Sequence, residues 1–333
     1  MRKRVLSWGT FMCDIIASGL SKVAEPGVIE YLTQPIEMRL GGHPVDLVID
    51  LAQIGVAANE IGFVSTIGND MFGDFLLRQV APYGFEALVR RVKGGTGKTL
   101  ILSVEGHDRL CHLDPAACMH MSLEHLEEVL TRTTPEFFTF RPGYTNLDTS
   151  MADLLARLRQ GPLRDAFLLL DLCAPYQKPW SYYLDLLPHV DAVHGNHKEI
   201  IRASGADDFA QATAKILALG PRAVLLTKEG MGAEIVTPRY RVAQGAFDIR
   251  FVEPSGCGDA FCAGVIYSLM RTGQRIGPMD AEGLTEALLW GQALGASAAT
   301  EVGCVAGVTK ANVDALMAGQ KDRVLATTQV EKR

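Results

Sequence analysis

Glu253-Pro254-Ser255-Gly256-Cys257-Gly258-Asp259-Ala260-Phe261-Cys262-Ala263-Gly264 follows a strand-like apolar run, Phe247 to Val252, and opens an apolar helical pattern through Val265, Ile266, Leu269 and Met270. Glycines placed just before a helix let backbone N–H groups approach an anion closely, at the positive end of the helix dipole. An Asp in the first helical turn also complements that dipole, so taken alone the Asp259 carboxylate has a purely structural explanation. Strand, glycine turn and helix in this order suit an α/β fold, and the rest of the chain bears on that expectation.

Outward from this segment, strand-like and helical runs alternate. Residues 63–67, 137–140, 167–171 and 223–227 are short, nearly continuous apolar stretches of the kind that fill a parallel sheet covered on both faces. Helical patterns lie between them, at residues 47–54, 75–80, 151–160 and 209–219. The series predicts a doubly wound, three-layer α/β/α sandwich, whose ligands bind beyond the carboxyl ends of the strands. Two stretches break the alternation, about residues 12–40 and 97–112, and read as short strands with polar turns. They predict a small β-sheet lid on one single domain spanning residues 1–333.

Composition narrows the function classes. Hydrophobic residues at 48% and charged residues at 21% describe an ordinary globular protein rather than a disordered chain. A formal net charge of −6 argues against a nucleic-acid partner, which is bound through concentrated Lys and Arg. No apolar run reaches the roughly 18 residues of a membrane span, so no membrane partner is expected. The basic start Met1-Arg2-Lys3-Arg4 is followed by an apolar stretch soon broken by Gly9-Thr10 and Asp14, which suits a first strand better than a signal peptide. Seven cysteines without a CxxC pair read as reduced thiols, an expectation of a cytoplasmic protein.

The 253–264 segment resembles the C-terminal signature of the ribokinase-like (PfkB) carbohydrate kinases, Asp-Thr-x-Gly-Ala-Gly-Asp-x-Phe-x-x-Gly. Gly256, Gly258, Asp259, Phe261 and Gly264 fall on its fixed positions. The resemblance implies that Asp259 is the general base and that the Gly256, Cys257 and Gly258 amides form an anion hole for the transferring phosphoryl group. The chemistry agrees: a sugar hydroxyl is a poor nucleophile until a carboxylate takes its proton, and fixed amides stabilise phosphoryl charge without reorganising.

Further segments follow in the family's order, from about residue 5 to about residue 310. Asp14, after Gly9-Thr10, is similar to the Asp that binds substrate hydroxyls. Gly41-Gly42 with Asp46 resembles the Gly-Gly-x-x-x-Asn substrate motif, with Asp in place of Asn. That exchange removes an amide donor and adds charge, which disfavours an anionic group nearby. Arg109, on the second lid segment, is a candidate substrate contact. Asn196 and Glu199 match Asn-x-x-Glu, implying Mg²⁺ held near the phosphates largely through water; the same pair also reads as a capping box. Thr227 and Gly232 match a nucleotide-binding Thr-x-Gly-x-x-Gly, although Glu229 replaces the first Gly. Gly68 to Asp74 reads as a turn and helix start, and the small residues of 291–298 as a helix packed closely or bordering adenine.

The implied function is ATP- and Mg²⁺-dependent phosphoryl transfer to a small-molecule sugar, polyol or nucleoside. Alternatives stay open. A sugar-phosphate kinase would use Arg109 and Arg141 for the substrate phosphate. A non-catalytic sensor of the same fold would be consistent with Glu229 and Glu253. Glu253, standing where Asp is usual, leaves the relatives' monovalent-cation site an open question. A lid-mediated homodimer, known in some relatives, is a further expectation. Gly94-Gly95-Thr96-Gly97-Lys98-Thr99 superficially reads as a phosphate loop. It lacks the glycine five residues before Gly97 and is followed by a strand-like run, so it is read as a turn.

Overall fold

The computed structural model describes residues 3–105 and 110–333. In chain order the elements are β1 (Val5–Trp8), β2 (Met12–Leu20), β3 (Glu37–Gly41), α1 (His43–Gln53), β4 (Ile61–Gly68), α2 (Met71–Val80), β5 (Glu86–Val92), β6 (Lys98–Val104) and β7 (Leu110–Asp114). They continue with α3 (Leu123–Thr133), β8 (Phe137–Phe140), α4 (Met151–Gln160), β9 (Phe167–Asp171), β10 (Ala192–Asn196), α5 (His197–Ser204), α6 (Phe209–Ala218) and β11 (Ala223–Thr227). The last are β12 (Ala233–Val236), β13 (Tyr240–Gln244), α7 (Cys257–Thr272), α8 (Ala281–Ala298), α9 (Lys310–Ala326) and β14 (Gln329–Lys332).

Ten strands form one sheet in the order β14-β13-β12-β11-β10-β9-β8-β1-β4-β5. From β11 to β5 every neighbour is parallel, and β12, β13 and β14 add an antiparallel edge. The parallel strands are buried on both faces, which is why they read as unbroken apolar runs rather than alternating ones. Two hydrophobic clusters cover the two faces. One gathers α1, α2, α7 and α8, the other α3, α4, α5 and α6. The α7 and α8 axes approach closely because Gly264 and Gly291 carry no side chain; a Cβ on Gly264 would overlap the Trp290 carbonyl. That packing accounts for the small residues of α8.

A second sheet, β3-β2-β6-β7, stands apart from the first. It is narrower than the sequence suggests. Residues 21–36 form no regular strand, and only β2 and β3 of the 12–40 stretch pair. A second correction concerns Phe247 to Val252, which forms no strand. Helices supply partners for its backbone instead: Val252 N and Glu253 N donate to the Ala299 carbonyl at the end of α8, and Asp248 N to the Gln320 side chain within α9.

Strand order decides where a site can lie. β1 sits between β8 and β4, so the chain winds one way through β4 and β5 and the other way through β8 to β11. In sheets wound this way the ligand crevice usually lies beyond the carboxyl ends of the strands where the direction reverses, here β1 and β8.

Candidate active site

Five elements bring polar side chains to that crevice. Asp14 lies on β2 just past β1, Arg141 directly follows β8, and Asp171 ends β9. His43 and Asp46 come from the first turn of α1, and Asp259 from the first turn of α7. The local chain explains each placement. Gly42 caps α1 at φ 116°, where a Cβ would overlap the Thr10 carbonyl, and Pro44 stands at the helix start, where its missing N–H costs nothing. Gly41 lies so close to Asp14 that a Cβ would overlap the carboxylate.

α7 begins at Cys257, with Gly256 in the left-handed region at φ 76° and no side chain capping the helix. Gly256 packs against the Cys304 carbonyl, leaving no room for a Cβ there. Cys257 N donates to the Pro254 carbonyl at 3.4 Å. Glu253, just upstream, accepts from Gly303 N at 2.9 Å and from the Ser255 hydroxyl. The turn before α7 is thereby tied to the 303–304 loop on both sides.

Asp259 is part of a buried ionic cluster. Its Oδ1 accepts from Arg141 Nη2 at 2.6 Å and from His43 Nδ1 at 2.7 Å. Asp171 receives Arg141 Nε at 2.7 Å, and also Arg141 Nη2, His43 Nδ1 at 3.1 Å and His194 Nδ1 at 2.5 Å. Nδ1 of each ring faces carboxylate oxygen, which only accepts, so Nδ1 carries the hydrogen in both histidines. Burial raises the Asp171 carboxyl, but Arg141 and His194 outweigh it and hold it well below the usual carboxylate range. For His43, burial and Arg141 push the imidazole down, and the hydrogen bonds to Asp171 and Asp259 more than restore it, leaving it above the ordinary histidine value.

Asp46 lies deeper. Burial, then Asp259 and Asp14, raise its carboxyl well above the ordinary value. Its Oδ2 accepts from Gly42 N at 3.1 Å, and Oδ1 is buried without a partner among the described residues. The raised value favours the acid form of Asp46, in which a carboxyl is neutral and donates one hydrogen, much as an amide does.

The residues expected to serve a nucleotide lie at the ends of β10 and β11. Asn196 Oδ1 caps α5 by accepting from Lys198 N and Glu199 N, and Glu199 Oε2 accepts from Asn196 N at 2.8 Å. The capping box is present, and it still leaves Oε1 of Glu199. An oxygen donor beside a helix start suits a hard cation such as Mg²⁺. Burial lifts this carboxyl above its ordinary value, opposed by the Asn196 amide. Thr227 ends β11. Gly232 sits at φ 97° against the Gln244 carbonyl, where a Cβ would clash, so its role is at least to permit a tight turn. Asp70 caps α2 and accepts from Thr96, a structural duty in keeping with the turn expected there. Arg109 lies outside the described residues.

Sequence reasoning missed His43 as a participant, and Asp171 and His194 altogether; Arg141 entered only as a phosphate contact. A charged residue ending an apolar strand, as Asp171 does, is the one local signal that marks them. A surface cleft lined by Asn69, Arg91, Val92, Lys93 and Gly94 lies by the ends of β4 and β5 and includes none of the cluster's residues.

A model of the pfkB family carbohydrate kinases matches residues 2–311. The chain belongs to that family. It is accordingly a phosphotransferase with a hydroxyl acceptor, a sugar kinase of the fructokinase and ribokinase type. A fructokinase from Klebsiella pneumoniae is 24% identical over 273 residues, 80% of this chain and 87% of the relative. Probable fructokinase-4 from Arabidopsis thaliana is 23% identical, over 95% of this chain and 97% of its own. Among solved structures, the ribokinase from Giardia lamblia superposes with a TM-score of 0.83 at 17% identity, covering 96% of this chain and 99% of that one. The fructokinase with bound ATP from Xylella fastidiosa gives 0.78 at 20% identity, with the same coverages. The sandwich fold expected from the sequence is the ribokinase-like fold of these neighbours. Among the described residues, no helix is long and apolar enough to cross a membrane.

Proposed function

We propose that the protein transfers the γ-phosphoryl group of ATP to a hydroxyl of a neutral sugar, polyol or nucleoside. The observation carrying this reading is the convergence of Asp259, Asp14 and Asp46 at the crevice, beside the uncapped N-terminus of α7. Asp259 takes the acceptor's proton as its oxygen bonds to the γ-phosphorus and the bond to the bridging oxygen of ADP breaks. The 256–258 amides and the α7 dipole bear on the charge of the transferring group. Mg²⁺, when bound, neutralises phosphate charge; Glu199 and Asn196 are the residues to hold it, in part through water. Asp14 accepts acceptor hydroxyl protons, and Asp46 stands where the family's substrate motif has Asn. The second sheet closes over the acceptor as a lid and excludes water.

Arg141 bears on the choice of acceptor. It is spent on Asp171 and Asp259 rather than presented alone to the crevice, which speaks against its receiving a substrate phosphate. The acidic residues around it favour hydroxyl donors.

The test is a phosphoryl-transfer screen with Mg²⁺-ATP over neutral sugars, polyols, nucleosides and sugar phosphates, run beside Asp259→Asn. Turnover on a neutral compound, falling by roughly two or more orders of magnitude in the variant, is expected. A sugar phosphate preferred over its free sugar would overturn the acceptor assignment. ATP binding without turnover on any compound would point to a sensor.

A further inference from the structure

The base in this chain is held from behind, and the hold is selective for one oxygen. Both donors to Asp259, His43 Nδ1 and Arg141 Nη2, meet Oδ1. Oδ2 receives no hydrogen bond from the described residues. His43 is fully buried and Asp171 is 1% exposed, and both meet Arg141 or Asp259 through their polar atoms. Asp171 binds both donors and is itself fixed by His194, whose ring stacks on Phe261, two residues beyond Asp259 in α7. Nε2 of both histidines has no partner among the described residues, so each ring is oriented through Nδ1 alone.

A carboxylate on a single rotatable bond can present either oxygen, and a base whose reacting oxygen wanders by about 1 Å loses roughly a hundredfold in rate. We propose that His43 and Arg141 are positioning residues that clamp Oδ1 of Asp259, so that Oδ2 alone faces the acceptor hydroxyl, with Asp171 and His194 fixing the clamp. The arrangement joins α1, β8, β9, β10 and α7, so the angle of the base is set by the sheet rather than by its own helix. In the transfer step the acceptor proton passes to Oδ2, while Oδ1 keeps both hydrogen bonds. The proposal rests on Asp259 being the base, and goes beyond that reading by assigning the residues that aim it.

The experiment uses the full chain with the acceptor found in the screen. His43→Ala removes the Nδ1 donor; His43→Asn keeps a nitrogen donor near the same place. Expected are a kcat fall of roughly 10- to 100-fold in His43→Ala, an acceptor KM within about threefold, and recovery of most of the rate in His43→Asn. Arg141→Lys, which cannot bridge two carboxylates in one plane, is expected to lower kcat similarly with little change in KM. Wild-type kcat in His43→Ala and Arg141→Lys, while Asp259→Asn is inactive, overturns the clamp and leaves the base standing. An active Asp259→Asn overturns the base and the clamp with it. Equal losses in His43→Ala and His43→Asn, or losses carried by KM, also overturn the clamp.

Should the alanine variant not fold, ¹⁵N-histidine spectra of folded protein give the answer. The His43 Nδ1 resonance is expected to move on Asp259→Asn and to stay on Asp14→Asn. No movement on the first substitution rejects the contact on which the clamp depends.

Discussion

The two ends of the crevice are built from different materials. Where the phosphates are expected, the chain offers backbone: an uncapped helix start at Gly256, a tight turn at Gly232, and a helix cap at Asn196 that closes on itself within four residues. Where the acceptor is expected, it offers side chains from β2, α1, β8, β9 and α7, most of them buried and joined by hydrogen bonds spanning up to 216 residues of sequence. Backbone geometry tolerates no substitution that adds a Cβ but says little about the ligand's identity. Side-chain geometry can be retuned residue by residue, as at Asp46, which stands where the resembled substrate motif has Asn.

The sharpest way to break this contrast is at Gly256. Alanine there must place a Cβ against the Cys304 carbonyl, at a φ of 76° that L residues rarely adopt. Neither neighbour is a flexible side chain, so the turn has to move and the amides of Cys257 and Gly258 move with it. We expect Gly256→Ala to lower kcat by roughly 10²–10³ while acceptor KM changes little, as for loss of an aimed donor to a charged transition state. A near-normal kcat would mean that the backbone end is not an aimed site, and the distinction between the two ends would fall.

The same division explains what could be read in advance. Parallel strands are apolar over their whole length, so residues 137–140, 167–171 and 223–227 were legible to the residue. The glycine turn before α7 was legible because its constraint is local: a left-handed residue, a helix and an Asp lie within a few positions. Phe247 to Val252 misled because β-propensity registers apolar content and not partners, and here helices supply the partners. The small second sheet was legible in place and overdrawn in extent, since residues 21–36 carry strand-like residues that form no strand. The ionic cluster was not legible. His43 follows a glycine turn, Asp171 ends a strand and His194 sits inside one; nothing local joins them, and only the strand order that puts β8, β9 and β10 side by side does so.

A smaller effect sharpens the acceptor end. If Asp46 works as a neutral acid, Asp46→Asn should preserve acceptor KM to within about threefold at mildly acidic pH, since a donor and an acceptor remain. The wild-type protein should then lose acceptor affinity as pH rises through the elevated Asp46 value, when the carboxyl becomes an anion beside Asp14 and Asp259. The Asn variant should lack that decline. KM measured from pH 5 to pH 9 in both proteins decides it. Identical profiles would mean that Asp46 does not change its protonation state over that range and that its titration does not govern acceptor binding.

The smallest expected effect concerns Asp50, one turn further along α1. It is fully buried, and neither carboxyl oxygen has a partner among the described residues. Burial, followed by Asp46 and Asp259, raises its pKa well above 3.8. An acid whose folded value is raised favours the fold most when protonated in both states, below the unfolded value. That contribution declines as pH climbs towards the folded value, because the unfolded chain gains the ionised form first. Asp50→Leu removes the decline and replaces an unpaired polar group by a somewhat larger apolar one with the same number of heavy atoms, an exchange that is often worth about 1–3 kcal/mol where the larger group fits. The melting temperature is therefore expected to rise by about 2–5 °C at pH 8 and by less at pH 4.5. Transfer activity should stay near wild type, because Asp50 touches none of the groups placed in the crevice. A variant that melts lower at pH 8 would show that Asp50 has a partner the fold depends on, and would extend the polar network of the acceptor end one turn deeper into α1.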